Sequence, residues 1–492
     1  MAIVRRLEEK RTAYRRNPVV KNINEFIGSP WGVMILGLLT LCAFAFSLEI
    51  FFYTVVAIYA TYVGIFGDDF KPLMPLFIFC YIAPSINNNP GKSDQGLFYG
   101  ATGVYLICIV SVAIITLFIR LIVDDEIGKG TLFTKKRSML LSMVILGVSY
   151  LLSGIGSEKY LEYAKSNLLF ACIQFASVAL LYFIFSASIK WDKMDLDYFA
   201  CIGLVMGLVV AAEVGCIYLS EDVIVNGEII RGRIYSGWGC YNNIGAIISM
   251  SIPFAFYFAN KVKHGNFVFL LVGCFLLAAV FFSCSRGSMV GGVFAFAVSF
   301  IYTFIKSKGN LEKKISIYAI IGLGIVGALL FGDKILYLFN EVPSISDVTD
   351  GSISFNDSGR FDIYLSGIKV FLDNPVFGQT FYPASFPMYD FSDVEAFSSF
   401  FPPRWHNTVI QMLASCGSVG MIAYSIHRID TIRMFLKKRT DTNVYIAISI
   451  LALLGMSLLD CHFFNVGPVF FYSMALAVME FGEEDIAISY NY

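Results

Sequence analysis

The sequence predicts an all-α polytopic membrane protein of about fourteen (12–14) transmembrane helices, with one long outer loop between the eleventh and twelfth. Two observations carry this. The 492 residues are 57% hydrophobic and only 15% charged, with a mean hydropathy of +0.69, which is more apolar surface than a soluble domain could bury. Apolar runs of about 17–22 residues recur along the whole length. That is the length of a helix crossing a bilayer, and the runs lack the alternation of barrel strands.

Residues 1–30 form a basic tail (Arg5, Arg6, Lys10, Arg11, Arg15, Arg16, Lys21), too long for the charged start of a signal peptide and followed closely by a further span. Spans are expected at 31–47, 50–66, 72–87, 97–123, 138–154, 168–189, 198–219, 243–259, 267–284, 288–305 and 315–332. Pro72, Pro75 and Pro84 interrupt the third, which reads equally as a re-entrant segment. After the loop at 333–405 come spans at 406–427, 444–460 and 464–480, which make up a C-terminal membrane segment 406–480, and then a short tail, 481–492. Threaded alternately, fourteen spans put the basic tail, Lys135-Lys136-Arg137, Lys190 and Lys193, Lys261 and Lys263, the lysines at 306–314 and the cations at 428–439 on one side. Positive charge marks the cytoplasm, so both termini are expected there. The net charge of −1 points to no partner. The eleven cysteines are scattered, with no CxxC or CxxxC pair, and read as small apolar packing residues.

From Phe267 to Ile305 the only charged residue is Arg286, at the midpoint. Thirty-nine residues suffice for two spans, so Ser285-Arg286-Gly287 reads as a hairpin turn on the outer face. A guanidinium there either snorkels to the headgroups or offers its fork to a phosphate at the interface. The outer loop starts acidic and Ser-rich (341–359). Arg360 then opens FDIYLSGIKVFLD, an amphipathic pattern stopped by Asn374-Pro375. An Arg at a helix N-terminus suits an anion, although Asp357 and Asp362 are equally available to pair with it. Residues 381–405 are rich in Phe, Tyr and Trp, suited to sugar faces or to an interfacial belt. The chain re-enters the membrane at His406-Asn407, with Gln411 one turn below, and Arg404 and Trp405 just before. Arg231, Arg233 and Asn242 precede a middle span on the same side. Glu213 lies near the outer end of its own span, where acids are functional or paired. Asp460 and His462, in the turn between the last two spans, either line the same cavity or cap helices.

In order along the chain, Arg233 through Gly245, Ser285-Arg286-Gly287, Gly359-Arg360 through Gly378, and His406-Asn407 resemble the motifs of the O-antigen ligase and Wzy-type polymerase family. The resemblance covers about 230–425; where that family often has Gly-x-Gly, Gly378 is followed here by Gln379-Thr380. It implies a GT-C-like fold and a glycosyltransferase acting on undecaprenyl-diphosphate-linked glycan at the outer face of a bacterial cytoplasmic membrane, without metal or other cofactor. It implies catalytic roles for His406, Arg286 and Arg360, and substrate contacts from Arg233, Arg231, Asn242, Asn407, Glu213, Trp405 and Arg404. The partners implied are the lipid-linked donor, a glycan acceptor and the bilayer, with a chain-length regulator or flippase as a candidate protein partner; no nucleic acid is expected. A surface-polysaccharide polymerase is the favoured form. A ligase that moves the finished glycan to another acceptor is the alternative. A lipid-linked glycan transporter and a peptidoglycan polymerase built on an outer-loop Asp (Asp357, Asp362 or Asp373) fit less well, because the polar residues crowd one face and are mainly Arg and His.

Overall fold

The computed structural model describes residues 11–83, 100–123, 137–156, 171–188, 193–220, 223–225, 228–237, 239–307, 310–340, 360–379 and 405–482. Helices α1 (Pro18–Ile27) and α2 (Pro30–Ala45) meet at 68°. Asn17 and Ser29 cap their starts, each followed by a proline at the first helical position, where the missing N–H has no helical partner to lose. The expected tail thus contains a helix. Next come α3 (Glu49–Phe66), a 3-10 turn Lys71–Leu73, α4 (Met74–Ile82), α5 (Gly100–Val123), α6 (Leu140–Leu152), a π turn Ala176–Leu180, α7 (Leu181–Ser188) and α8 (Lys193–Ser220). Pro72 and Pro75 sit at helix starts and so break nothing.

Two short antiparallel ribbons follow, β1 (Ile224–Val225) with β2 (Glu228–Ile229) and β3 (Tyr235–Ser236) with β4 (Gly239–Cys240). The remaining helices are α9 (Tyr241–Lys261), α10 (Asn266–Phe282), α11 (Arg286–Lys306), α12 (Leu311–Asn340), α13 (Arg360–Asp373), α14 (Thr408–Lys437), α15 (Asp441–Met456) and α16 (Val466–Phe481). Among the described residues, six helices are long and apolar enough to cross a membrane, or seven if α1 and α2 form one bent span. Each apolar run picked out in the sequence contains a described helix, several of them shorter than a full span.

The centre of the bundle is α9, 89% of whose apolar window is buried, against 17% for α12 at the periphery. It packs on α8, α10, α11 and α15. Small residues permit this: a Cβ on Gly245 would lie 2.5 Å from Ser288 Cβ, and Ser249 Oγ donates to the Ser288 carbonyl at 3.0 Å. Close backbone approach and hydroxyl bonding are how helices associate where lipid removes the hydrophobic drive.

Three boundaries differ from the sequence reading. The α10–α11 turn is Ser283–Ser285, and Arg286 is the first helical residue rather than the turn itself. Helix α12 continues to Asn340, past the expected loop start at 333. Helix α14 continues to Lys437, so Arg428, expected in a basic loop, lies inside it, over the rings of Tyr424, Phe463 and Tyr472. Residues 341–359 and 381–404 lie outside the described residues.

Helix α14 is broken at Gly417 (φ 62°, ψ −157°), and the Asn374–Gln379 strap after α13 fills the break. Ser418 and Val419 N–H, freed by it, donate to the Pro375 and Val376 carbonyls at 2.8 and 3.1 Å, and Gln379 N–H donates to the Ala414 carbonyl at 2.9 Å. Every backbone group freed at membrane depth needs such a partner. Gly378 (φ 71°) passes so close to Ser415 that a Cβ would lie 2.4 Å from its carbonyl.

Candidate functional site

Three helix starts and one turn meet at one end of the bundle: the heads of α9, α11 and α14, and the segment 457–465 between α15 and α16. Ser285 caps α11, and its Oγ donates to Asn242 Oδ1 at 2.9 Å. Asn242 Nδ2 donates to Asp460 Oδ2 at 2.7 Å, while Ser288 Oγ reaches the Asn242 carbonyl at 3.2 Å. Asp460 Oδ1 lies 3.2 Å from His406 Nδ1 and accepts the Cys461 N–H at 2.6 Å. Leu459 meets the same helix start: a Cβ on Gly287 would touch its Cβ at 3.4 Å. A side-chain chain thus runs from Ser285, next to Arg286, to His406.

His406 is fixed by its surroundings. Its backbone is left-handed (φ 48°), costly for a residue with a Cβ, and such outliers collect at functional sites. Cys284, before the α11 cap, is another (φ 56°). Trp405 is fully buried against Val370 and Ala414, with Ile363 and Ile410 packed on them, and its backbone N–H donates to Gln411 Oε1 at 2.9 Å. Tyr364, one helical turn after Arg360 on α13, donates from its hydroxyl to the His406 carbonyl at 3.2 Å. Asn407 caps α14 by accepting the Val409 and Ile410 N–H groups, and its Nδ2 donates to the Leu458 carbonyl at 2.8 Å. Both ends of the Asn407 amide therefore serve the fold.

Charge follows from these contacts. Burial would raise the Asp460 carboxyl. The hydrogen bonds from His406 and the Cys461 N–H, together with the neighbouring His462 and His406 rings, outweigh it and hold Asp460 well below the usual carboxylate range. Asp460 is therefore an anion that accepts only, so the proton between it and His406 sits on Nδ1 and the Nε2 lone pair is left available. The His406 side chain is 40% exposed and that of Asp460 12%, so the imidazole faces outward and its carboxylate is shielded behind it.

The other expected residues divide. Arg286 is half-buried at the head of α11. Arg231 and Arg233 occupy a 3-10 turn before α9, half-buried, with the Arg231 guanidinium 5.2 Å from the Tyr241 ring centre. Arg360 opens α13, which lies along α14. Arg404 lies outside the described residues. Glu213 is fully buried in α8 and accepts a hydrogen bond from Ser236 of the β3–β4 ribbon, so it anchors the approach to α9. In the sequence Asp460 and His462 stand out only as lesser candidates. Their signal is the Asp-Cys-His run between two apolar stretches, which carries no indication that it meets His406.

Fold and site together define a polytopic α-helical membrane protein with its polar residues gathered at the heads of several helices. A family model described as O-antigen ligase matches residues 269–425. Arg286, Arg360 and His406 lie within that segment, and Asn242 and Asp460 lie outside it. A search of curated proteins found no match.

Proposed function

We propose that this end of the bundle faces the outside of a bacterial cytoplasmic membrane and transfers glycan from undecaprenyl diphosphate to an acceptor hydroxyl. The carrying observation is the His406–Asp460 pair, with its available Nε2, hydrogen-bonded through Asn242 and Ser285 to the helix head that bears Arg286. In this reading the acceptor oxygen attacks the anomeric carbon from the face opposite the diphosphate. The glycosyl C–O bond breaks, and its electron pair leaves with the lipid diphosphate. His406 Nε2 takes the hydroxyl proton, and Asp460 stabilises the imidazolium. Arg286 and Arg360, each at the start of a helix, meet the charge growing on the diphosphate, where fixed cations help the transition state more than the ground state. Arg231 and Arg233 extend the same cationic surface.

Polymerisation is favoured over ligation by residues 341–405, which are acidic and aromatic and have only Arg360, Lys369 and Arg404 as cations. A ligase facing a heavily phosphorylated acceptor calls for a basic loop. Purified protein in nanodiscs, given extracted undecaprenyl-diphosphate glycan, should lengthen the lipid-linked chains on a gel. Arg286→Ala and Arg360→Ala should slow this by about 10²–10³-fold, and His406→Ala by about 10²–10⁴-fold. Donor consumption only when a foreign acceptor is supplied would make the protein a ligase. Undiminished extension by all three variants would overturn the site.

A further inference from the structure

We propose that Asn242 is a positioning residue that holds the base in register with the phosphate-binding helix head, and is not a substrate contact. This rests on the reading that His406 is the base and that Arg286 grips the diphosphate. The argument is one of valence. Asp460 is a carboxylate and can only accept, so the Asn242 amide must turn its nitrogen to Asp460 (2.7 Å) and its oxygen to the Ser285 hydroxyl (2.9 Å). The main-chain carbonyl of Asn242 is also engaged, by Ser288 Oγ at 3.2 Å. Ser285 is the cap of α11 and the neighbour of Arg286. Asp460 in turn holds Nδ1 of an imidazole that is 40% exposed and mounted on a strained backbone. Asn242 is thus bonded to both halves of the site, to the α11 head through Ser285 and to the imidazole through Asp460, and packing of Gly287 against Leu459 adds to that junction. The charged and titratable groups on the surrounding elements are Asp460, Cys461 and His462 in the 457–465 turn, Cys284 and Arg286 at the head of α11, Arg231 and Arg233 before α9, Tyr241 at its start, and Arg360 and Tyr364 on α13. The variants below change Asn242 and Asp460 alone.

Asn242→Asp keeps the acceptor for Ser285 but sets a second carboxylate against Asp460. It should lower kcat about 10- to 100-fold, the effect of a small misplacement of a reacting group, with the donor KM changed less than about twofold. Asp460→Asn added to it again sets a donor against an acceptor. The new amide nitrogen at position 460 then faces the new carboxylate at position 242 and the amide oxygen at 460 is left for His406, so the thermal stability lost in Asn242→Asp should return, while kcat stays low because position 460 no longer carries the charge that stabilises the imidazolium. With only four histidines in the chain, selective imidazole labelling and NMR can follow His406 without any glycan. Its titration midpoint should rise in Asn242→Asp once the carboxyls at 242 and 460 are both ionised, because a negative charge has then been added nearby, and the acid limb of the kcat profile should rise with it. A raised KM at unchanged kcat would make Asn242 a substrate contact and overturn the proposal. So would a double variant no more stable than the single. If the wild type transfers no glycan while the midpoint moves as described, the linkage stands and the enzymatic reading falls. Where Asn242→Asp does not fold, Asn242→Ala, which removes both bonds without adding charge, carries the same test of kcat against KM.

Discussion

Asp460 has both carboxylate oxygens occupied: Oδ1 by His406 and the Cys461 N–H, Oδ2 by Asn242. Asp460→Ala leaves these donors facing a buried vacancy and should cost about 2–4 kcal/mol in unfolding experiments, on the scale of hydrogen bonds to a charged group. The pH dependence has a definite sign. A folded pKa below the ordinary value of about 3.9 makes the Asp460 contribution complete above that value and lost as the pH falls further toward the depressed one. The stability gap between wild type and Asp460→Ala should therefore be flat from about pH 7 to about pH 5 and narrow only below about pH 4, read by thermal unfolding in detergent. A gap that widens as the pH falls from about 7 to about 6 would mean that protonation of the neighbouring histidines controls it. Arg286 and His406 are legible in the sequence because each is a polar residue at the border of a long apolar run. Asp460 is visible there as a polar residue in a turn, but its partner is not, since sequence separation says nothing about which turns meet.

The α13 helix, its strap and the broken α14 act as one element. The Asn-Pro stop predicts the end of α13 through proline's geometry, and the structure ends that helix at Asp373. The break in α14 is not predicted, because Gly417 sits in a stretch, ASCGSVG, that a helix tolerates at modest cost. Its cause is the strap, whose carbonyls accept the Ser418 and Val419 N–H groups. The Gln379 N–H, next after Gly378, closes the other side of the break on the Ala414 carbonyl. Gly417→Ala would force a Cβ to 2.5 Å from the Val376 carbonyl at φ 62°. Gly378→Ala meets Ser415 in the same way at φ 71°. Each should destabilise by about 1–3 kcal/mol or more, seen as a lower Tm, and should lower transfer activity by loosening α13 from His406. Wild-type Tm in both variants would show that the strap contributes no stability.

The bundle sets a polar end against a basic end. Lys261 pairs with Asp197, Lys306 with Asp441, and Arg433 with Asp430, all away from the Asp460 turn. With the natural cysteines replaced, a membrane-impermeant thiol reagent should label Leu458→Cys in intact cells and label Lys438→Cys only after permeabilisation; the opposite pattern would put the candidate site on the cytoplasmic side. The sequence alone determined where the helices form and that they suit a membrane, because hydropathy is a property of each residue summed over a local window. It also singled out Arg286, Arg360 and His406 as candidate site residues. The tertiary structure decided which of the many polar residues at the helix ends act together. Asn242 and Asp460 are 218 residues apart, and the 2.7 Å between their side chains depends on how α9, α11, α14 and the 457–465 turn pack. A hydrogen bond requires that placement within a few tenths of an ångström, and no local run of residues can encode it.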